Sequence, residues 1–194
     1  MSDERKIGEY TVCSALYMGE KEYALCENLN DPHGLFYMTC AVTSNDFFEF
    51  YSDVLSSADY LEIAGIFADR VKNAIGQQKE KQAEYPREMI TADMCESIDD
   101  KNLQGEIIVI KADVFRPEFR TQASQIVLCK GGNGAHANAR GSAVFCEYLT
   151  DYRRTRFERP DVLGILKKEH YPEWINSKIK ELDAKKKDHK EKER

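Results

Sequence analysis

The segment Lys130-Gly-Gly-Asn-Gly-Ala-His-Ala-Asn-Ala-Arg-Gly141 concentrates residue types that bind or react. Its four glycines and small alanines leave the backbone free to take positive φ, to turn N–H groups toward an anion, or to let a partner approach. His136, Asn138 and Arg140 add polar tips on alternate residues. The segment is not a nucleotide cradle of either common kind. A Walker loop ends in Gly-Lys-Ser/Thr, and the dinucleotide fingerprint needs a helix after its glycines, whereas Ser142–Leu149 reads as a strand. The loop is therefore a hairpin connection or a contact surface.

Other constellations are weaker. Cys129, His136 and Cys146 border the loop but lack a fourth ligand and any recognised zinc spacing, and as a cysteine–histidine nucleophile pair they are unconstrained. A metal-dependent nuclease would need clustered carboxylates, and Lys111, Asp113, Glu118 and His136 follow no motif that gathers them. No catalytic residue, metal or cofactor is assigned. The six cysteines, at 13, 26, 40, 95, 129 and 146, lie in or beside apolar runs without a Cys-x-x-Cys pair and are expected to be buried free thiols.

Charge divides the chain more clearly than chemistry does. The net charge of −6 conceals −11 over residues 1–104, +4 over 105–168, −2 over 169–177 and +3 over 178–194. The acidic half has two readings: a solubilising surface, or an imitation of nucleic-acid charge presented by Asp46, Glu49, Asp53, Asp59, Glu62 and Asp69. The basic half carries Arg116, Arg120, Lys130, Arg140, Arg153, Arg154, Arg156 and Arg159, with Tyr148, Tyr152 and Phe157 available for stacking. Glu118, Glu147, Glu158 and Asp161 stand ready to neutralise some of them. The expected partner surface comprises Arg116, Arg120, Lys130, Gly131, Gly132, Asn133, Gly134, His136, Asn138, Arg140, Arg154 and Arg156.

The elements that position these residues define an α+β chain. Tyr10–Tyr17, Glu22–Cys26 and Leu35–Val42 read as strands of an antiparallel meander. With Ser56 and Ser57 as its N-cap, a helix from about Ala58 to Lys81 presents Tyr60, Ile63, Ala64, Phe67, Val71, Ala74 and Ile75 on one face and covers the meander. Tyr85-Pro86 ends that pattern, and 86–104 reads as a linker or a short helix at Thr91–Ser97. Strands at Gly105–Lys111, Gln125–Cys129, Ser142–Leu149, Arg156–Arg159 and Val162–Leu166 make a small curved sheet or partly open barrel. Pro172 opens a final helix with Trp174, Ile175, Ile179 and Leu182 as its apolar stripe. The expected organisation is an acidic module over 1–85, a linker over 86–104, a β-rich module with its helix over 105–184, and a disordered charged tail over 185–194. No apolar run reaches the roughly 18–20 residues of a membrane span and the N-terminus carries no signal-like segment, so a cytoplasmic protein without a membrane partner is expected.

Gly105-x-Ile-x-Val-Ile-Lys, Arg116-Pro-Glu-Phe-Arg-Thr, Leu128-Cys-Lys-Gly-Gly-Asn-Gly-Ala, Asn138-Ala-Arg-Gly-Ser-Ala-Val-Phe and Arg156-Phe-Glu-Arg-x-Asp-Val-Leu-Gly164 together resemble a group of accessory proteins encoded on integrative conjugative elements and related mobile DNA of gut Firmicutes. Tyr10-Thr-Val-Cys and Phe67-x-x-Arg-Val71 fit the same group less specifically, and the likeness covers about two-thirds of the chain. It transfers no activity. It implies a setting in which small proteins counter host restriction or CRISPR systems. The expectation is a non-catalytic inhibitor of a nucleic-acid-targeting defence effector, a CRISPR nuclease of the Cas9 type or its guide-RNA complex foremost. The alternatives are a DNA- or RNA-binding accessory of conjugation or element maintenance and, third, a metal-dependent nuclease; the oligomeric state is left open.

Overall fold

A computed structural model describes residues 4–45, 47–138 and 140–181, and divides the chain into two compact units, Met1–Lys81 and Gln82–Arg194. The fold is α+β. Asp46, Leu182 and the charged tail lie outside the described residues.

The first unit is an antiparallel meander in chain order: β1 (Lys6–Ile7), β2 (Tyr10–Met18), β3 (Lys21–Glu27), β4 (Tyr37–Ser44) and β5 (Glu49–Ser57). Gly19, at φ 67°, makes the tight β2–β3 turn that a side chain would strain. The helix α1 (Tyr60–Lys81) follows β5. Its cap is Asp59 rather than Ser56 or Ser57, which still belong to β5: Asp59 Oδ1 accepts the N–H groups of Leu61 and Glu62 at 2.8 and 3.4 Å. Ser57 supports the turn, donating to Glu62 at 2.6 Å and accepting the Asp59 N–H at 3.1 Å. The helix buries Ile63, Ala74 and Gln78 against the sheet and leaves Tyr60 half-exposed against the edge of the Tyr37 ring. On the opposite face of the sheet Ile7, Ala24, Cys26, Met38, Cys40 and Val42 form a second apolar layer. Arg5 closes that layer, reaching Glu22 at 2.6 Å and Glu49 at 3.4 Å. The buried Glu22 carboxylate holds the Arg5 guanidinium firmly in its charged form.

The second unit is one antiparallel sheet of order β10-β9-β8-β7-β11-β6. Its strands are β6 (Cys95–Glu96), β7 (Ile107–Ile110), β8 (Ile126–Gly131), β9 (Ala143–Tyr148), β10 (Arg154–Glu158) and β11 (Val162–Leu166). Bulges in β8 and β11 bend it. Every residue of β7 is buried, because apolar layers cover both faces. Ile107 and Val109 meet Ile90, Ile126, Leu149, Leu166 and Ile175; Ile108 and Ile110 meet Leu103, Val127, Ala135, Val144 and Val162. Residues 86–104, read from sequence as a linker, thus supply Ile90 and Leu103 to the core and β6 to the sheet edge. In place of a helix at Thr91–Ser97 there is a single 3-10 turn, Ala92–Met94. The four-residue helix α2 (Gln122–Gln125) leads into β8, and helix α3 occupies 173–181, with Trp174 edge-on to Tyr85 at 5.1 Å.

Candidate functional site

The glycine-rich loop is built against its own chain. Gly131 and Gly132 have φ of 141° and 108°, a region that side chains rarely adopt. A Cβ on Gly132 would lie 2.4 Å from the Ala143 carbonyl oxygen, one on Gly134 2.0 Å from that of Ser142, and one on Gly141 2.7 Å from Asn133 Cβ. The close approach anticipated from these glycines is therefore made by the start of β9. Leu103 N–H donates to the Ala135 carbonyl at 2.7 Å. Arg159 completes the clamp: Nη1 donates to the carbonyls of Gly134 and His136 at 2.7 and 3.4 Å, and Nη2 to those of Ile98 and Lys101 at 2.6 and 3.0 Å. Gly131, Gly134 and Ala135 are buried, while Asn133, His136, Asn138 and Arg140 face outward. Asn138 holds φ 58°, which asparagine tolerates well.

Most of the basic residues engage local partners. Arg116 lies 3.5 Å from Glu118 and over the Phe119 ring; Arg120 donates to the Phe115 carbonyl at 3.1 Å. Lys130 is 3.8 Å from Glu147, Arg153 is 3.8 Å from Asp151 and stacks over Tyr148, and Arg156 is 2.5 Å from Glu158. Glu158 also accepts from Ser142. Arg154 and Arg156 point outward from the edge strand β10. The neighbouring carboxylates lower the net positive charge of this surface.

Cys129 and Cys146 face each other across β8 and β9, both buried, and His136 is turned to solvent. Among the described residues no group of three or more His, Cys, Asp or Glu is placed to hold a metal ion. The contact with Cys129, and then burial, pushes the Cys146 thiol up, and the same contact lowers Cys129; burial is the main cause that pushes Cys26 up to about 12 and Cys95 to about 11. Cys13 departs from the expectation of buried thiols, being exposed. Because the reagent must reach the sulfur, iodoacetamide at pH 8 should modify the exposed Cys13 first and the half-buried Cys95 slowly, leaving the buried Cys26, Cys40, Cys129 and Cys146 until urea is added. Peptide mapping showing Cys129 or Cys146 labelled at the Cys13 rate would contradict this packing.

The first unit carries a different surface, centred on β5. Eight of its nine residues are exposed, so neither face of this strand is buried. Phe47 and Phe48 in the turn before it are 85% and 66% exposed, and Phe50, Tyr51, Val54 and Leu55 are each about half-exposed. An apolar surface of this extent, fringed by charge, is the usual mark of an interaction site. Glu62 and Asp69, seven residues apart, lie on one stripe of α1. Asn73, one turn beyond Asp69, lines a depression of about 230 Å³ with Asp53, Tyr23, Arg70, Ala74 and Gln77. Arg70 is occupied in part by Thr39, at 3.5 Å.

The acidic residues chosen from sequence thus separate by role. Asp53 faces α1 across the depression; Glu62, which accepts from Ser57, and Asp69 lie on α1 itself; Asp59 is the α1 cap; Glu49 lies on the opposite face of the sheet, bound by Arg5 and by the Tyr51 hydroxyl at 2.7 Å. Asp53 is itself in the left-handed region, at φ 55°, in the bulge between Ser52 and Leu55. The aromatic residues beside these acids were not singled out from sequence, although Phe47-Phe-Glu-Phe-Tyr51 was the available signal. No helix among the described residues is long and apolar enough to cross a membrane. No protein-family model matches the chain, and neither curated proteins nor solved structures gave a match.

Proposed function

We propose that this chain is a non-catalytic binding protein of a mobile element that inhibits a nucleic-acid-targeting defence effector of its host, with a CRISPR nuclease of the Cas9 type as the first target. The acidic and aromatic surface around β5 occupies the effector's basic nucleic-acid channel. The observation that carries this reading is the exposure of Phe47, Phe48, Phe50, Tyr51, Val54 and Leu55 on and just before a strand that also carries Asp53, with Glu62 and Asp69 on the helix that follows it. Acids steer the encounter with a basic channel and aromatic side chains supply the contact energy, the division of labour that protein interfaces favour. His136, Asn138 and Arg140 supply additional contacts specific in shape. The mobile-element setting rests on the sequence resemblance alone.

The test is co-elution of purified protein with such effectors on size exclusion, with and without guide RNA. A complex that forms with the free effector and is displaced by nucleic acid supports the reading; no complex with any effector refutes it. Steeply salt-dependent binding to free DNA or RNA would favour the nucleic-acid-binding accessory instead. Alanine at both His136 and Arg140 should weaken the complex without unfolding the chain, since both side chains face outward. Unchanged affinity would reduce the loop to a connection.

A further inference from the structure

The edges of the two sheets are treated differently. β1 and β6 are only two residues long, and β10 carries the charged Arg154 and Arg156. Short edges and edge charges, especially basic ones, are the standard protections against an incoming strand. β5 runs for nine residues as an edge strand, contains no lysine, arginine or proline, and is exposed over eight of those nine. Its bulge at Asp53 leaves Glu49–Ser52 as a regular stretch, paired residue for residue with Ser44–Ala41 of β4.

The hairpin register shows which main-chain groups remain free. Asn45 N–H donates to the Phe48 carbonyl at 2.9 Å, closing the β4–β5 turn. Hydrogen-bonded pairs alternate along an antiparallel ladder, so Phe50 and Ser52 turn their N–H and C=O groups to β4 while Glu49 and Tyr51 turn theirs outward. Two donors and two acceptors therefore line an open edge between exposed aromatic side chains.

We infer that the Glu49–Ser52 edge accepts an extended, basic segment of a partner protein as an additional strand. Charge selects this occupant over a second copy of the chain: β5 contains no cation, Asp53 lies within it and Asp59 and Glu62 follow it, while Glu49 is shared with Arg5, so two copies would bring like charges together. Main-chain bonds supply binding that does not depend on side-chain identity, and Phe48, Phe50 and Tyr51 supply apolar contact on the two faces. The inference rests on the proposed protein-binding role of this surface and names the form in which the partner is held.

The test uses the full chain and a capped hexapeptide of alternating lysine and valine as the probe. Two further peptides carry N-methyl groups on all lysine amides or on all valine amides, which keeps the charge and blocks one edge at a time. Fluorescence anisotropy should show the parent peptide binding and one of the methylated peptides binding about tenfold more weakly, the loss expected for a few main-chain bonds. Exchange of the Glu49 and Tyr51 amide hydrogens should slow when the parent peptide is present. Equal binding of all three peptides would overturn strand addition in favour of charge alone. Absence of binding, or a homodimer whose Glu49 and Tyr51 amides are protected without peptide, would overturn it as well. Because no effector is present, peptide docking without effector binding defeats the proposed function alone, and effector binding without peptide docking defeats the strand alone.

Discussion

Replacing Gln125 with leucine should destabilise the second unit by about 3 kcal/mol, even though leucine matches its size and the site is apolar. Gln125 is fully buried, accepts the Ile90 N–H at 2.8 Å, and donates to the carbonyls of Ile90 and Ile110 at 3.2 and 3.1 Å. It ties the segment before β6 to the end of β7, and leucine would strand three main-chain groups where water does not reach. Each unmet group costs about 1–3 kcal/mol, and relaxation keeps the total below the sum. For a unit of this size the melting temperature should fall by about 10 °C. Trp174 is the only tryptophan and packs in the second unit, so its fluorescence during thermal unfolding reads that unit directly. A shift under about 2 °C would mean that the segment 86–94 does not depend on this side chain.

The second large effect should follow from adding one methyl group. In Gly134→Ala the new Cβ would sit 2.0 Å from the Ser142 oxygen, 2.3 Å from its carbonyl carbon and 3.0 Å from the Ala143 nitrogen. All three are backbone atoms, which cannot swing aside as a flexible side chain would. The loop must part from β9, releasing Ala135 from its buried position and pulling the Gly134 carbonyl from Arg159. A loss of about 3 kcal/mol is expected, in the range of overpacked cores and strained backbone. Hydrogen exchange should quicken across 133–138 and at Leu103, whose N–H binds the Ala135 carbonyl. Wild-type stability and exchange in this variant would show that the loop does not pack as described.

Much of the fold was legible because most elements bury a side. The α1 stripe follows the helical period, and the run Ile107–Ile110 announces a strand covered on both faces. β5 escaped because exposure on both faces erases the alternation that marks a half-buried strand. The segment 86–104 escaped for another reason. Its order depends on distant partners, Gln125 for Ile90 and the Ala135 carbonyl for Leu103, and no local pattern encodes them. The glycine loop illustrates the same limit in the site. Its composition announced a close approach, but only the tertiary structure shows that the approaching backbone is the chain's own. Arg159 reads in sequence as one of eight basic residues and proves to be the one spent on four carbonyls.

The acidic, aromatic surface of the first unit is proposed to compete with nucleic acid for an effector's channel. The variant Asp53→Asn/Glu62→Gln/Asp69→Asn tests it most directly. Asparagine tolerates the left-handed backbone at 53, glutamine can still accept from Ser57, and the Asp59 cap is untouched. The measurement is the affinity of a guide-loaded Cas9-type effector for its target DNA as the protein is titrated. The wild type should weaken DNA binding competitively, and the triple variant should do so at least about tenfold less effectively, as expected when three interfacial charges are removed. Wild-type protein that leaves DNA affinity unchanged, or a triple variant that competes as well as the wild type, would contradict the claim.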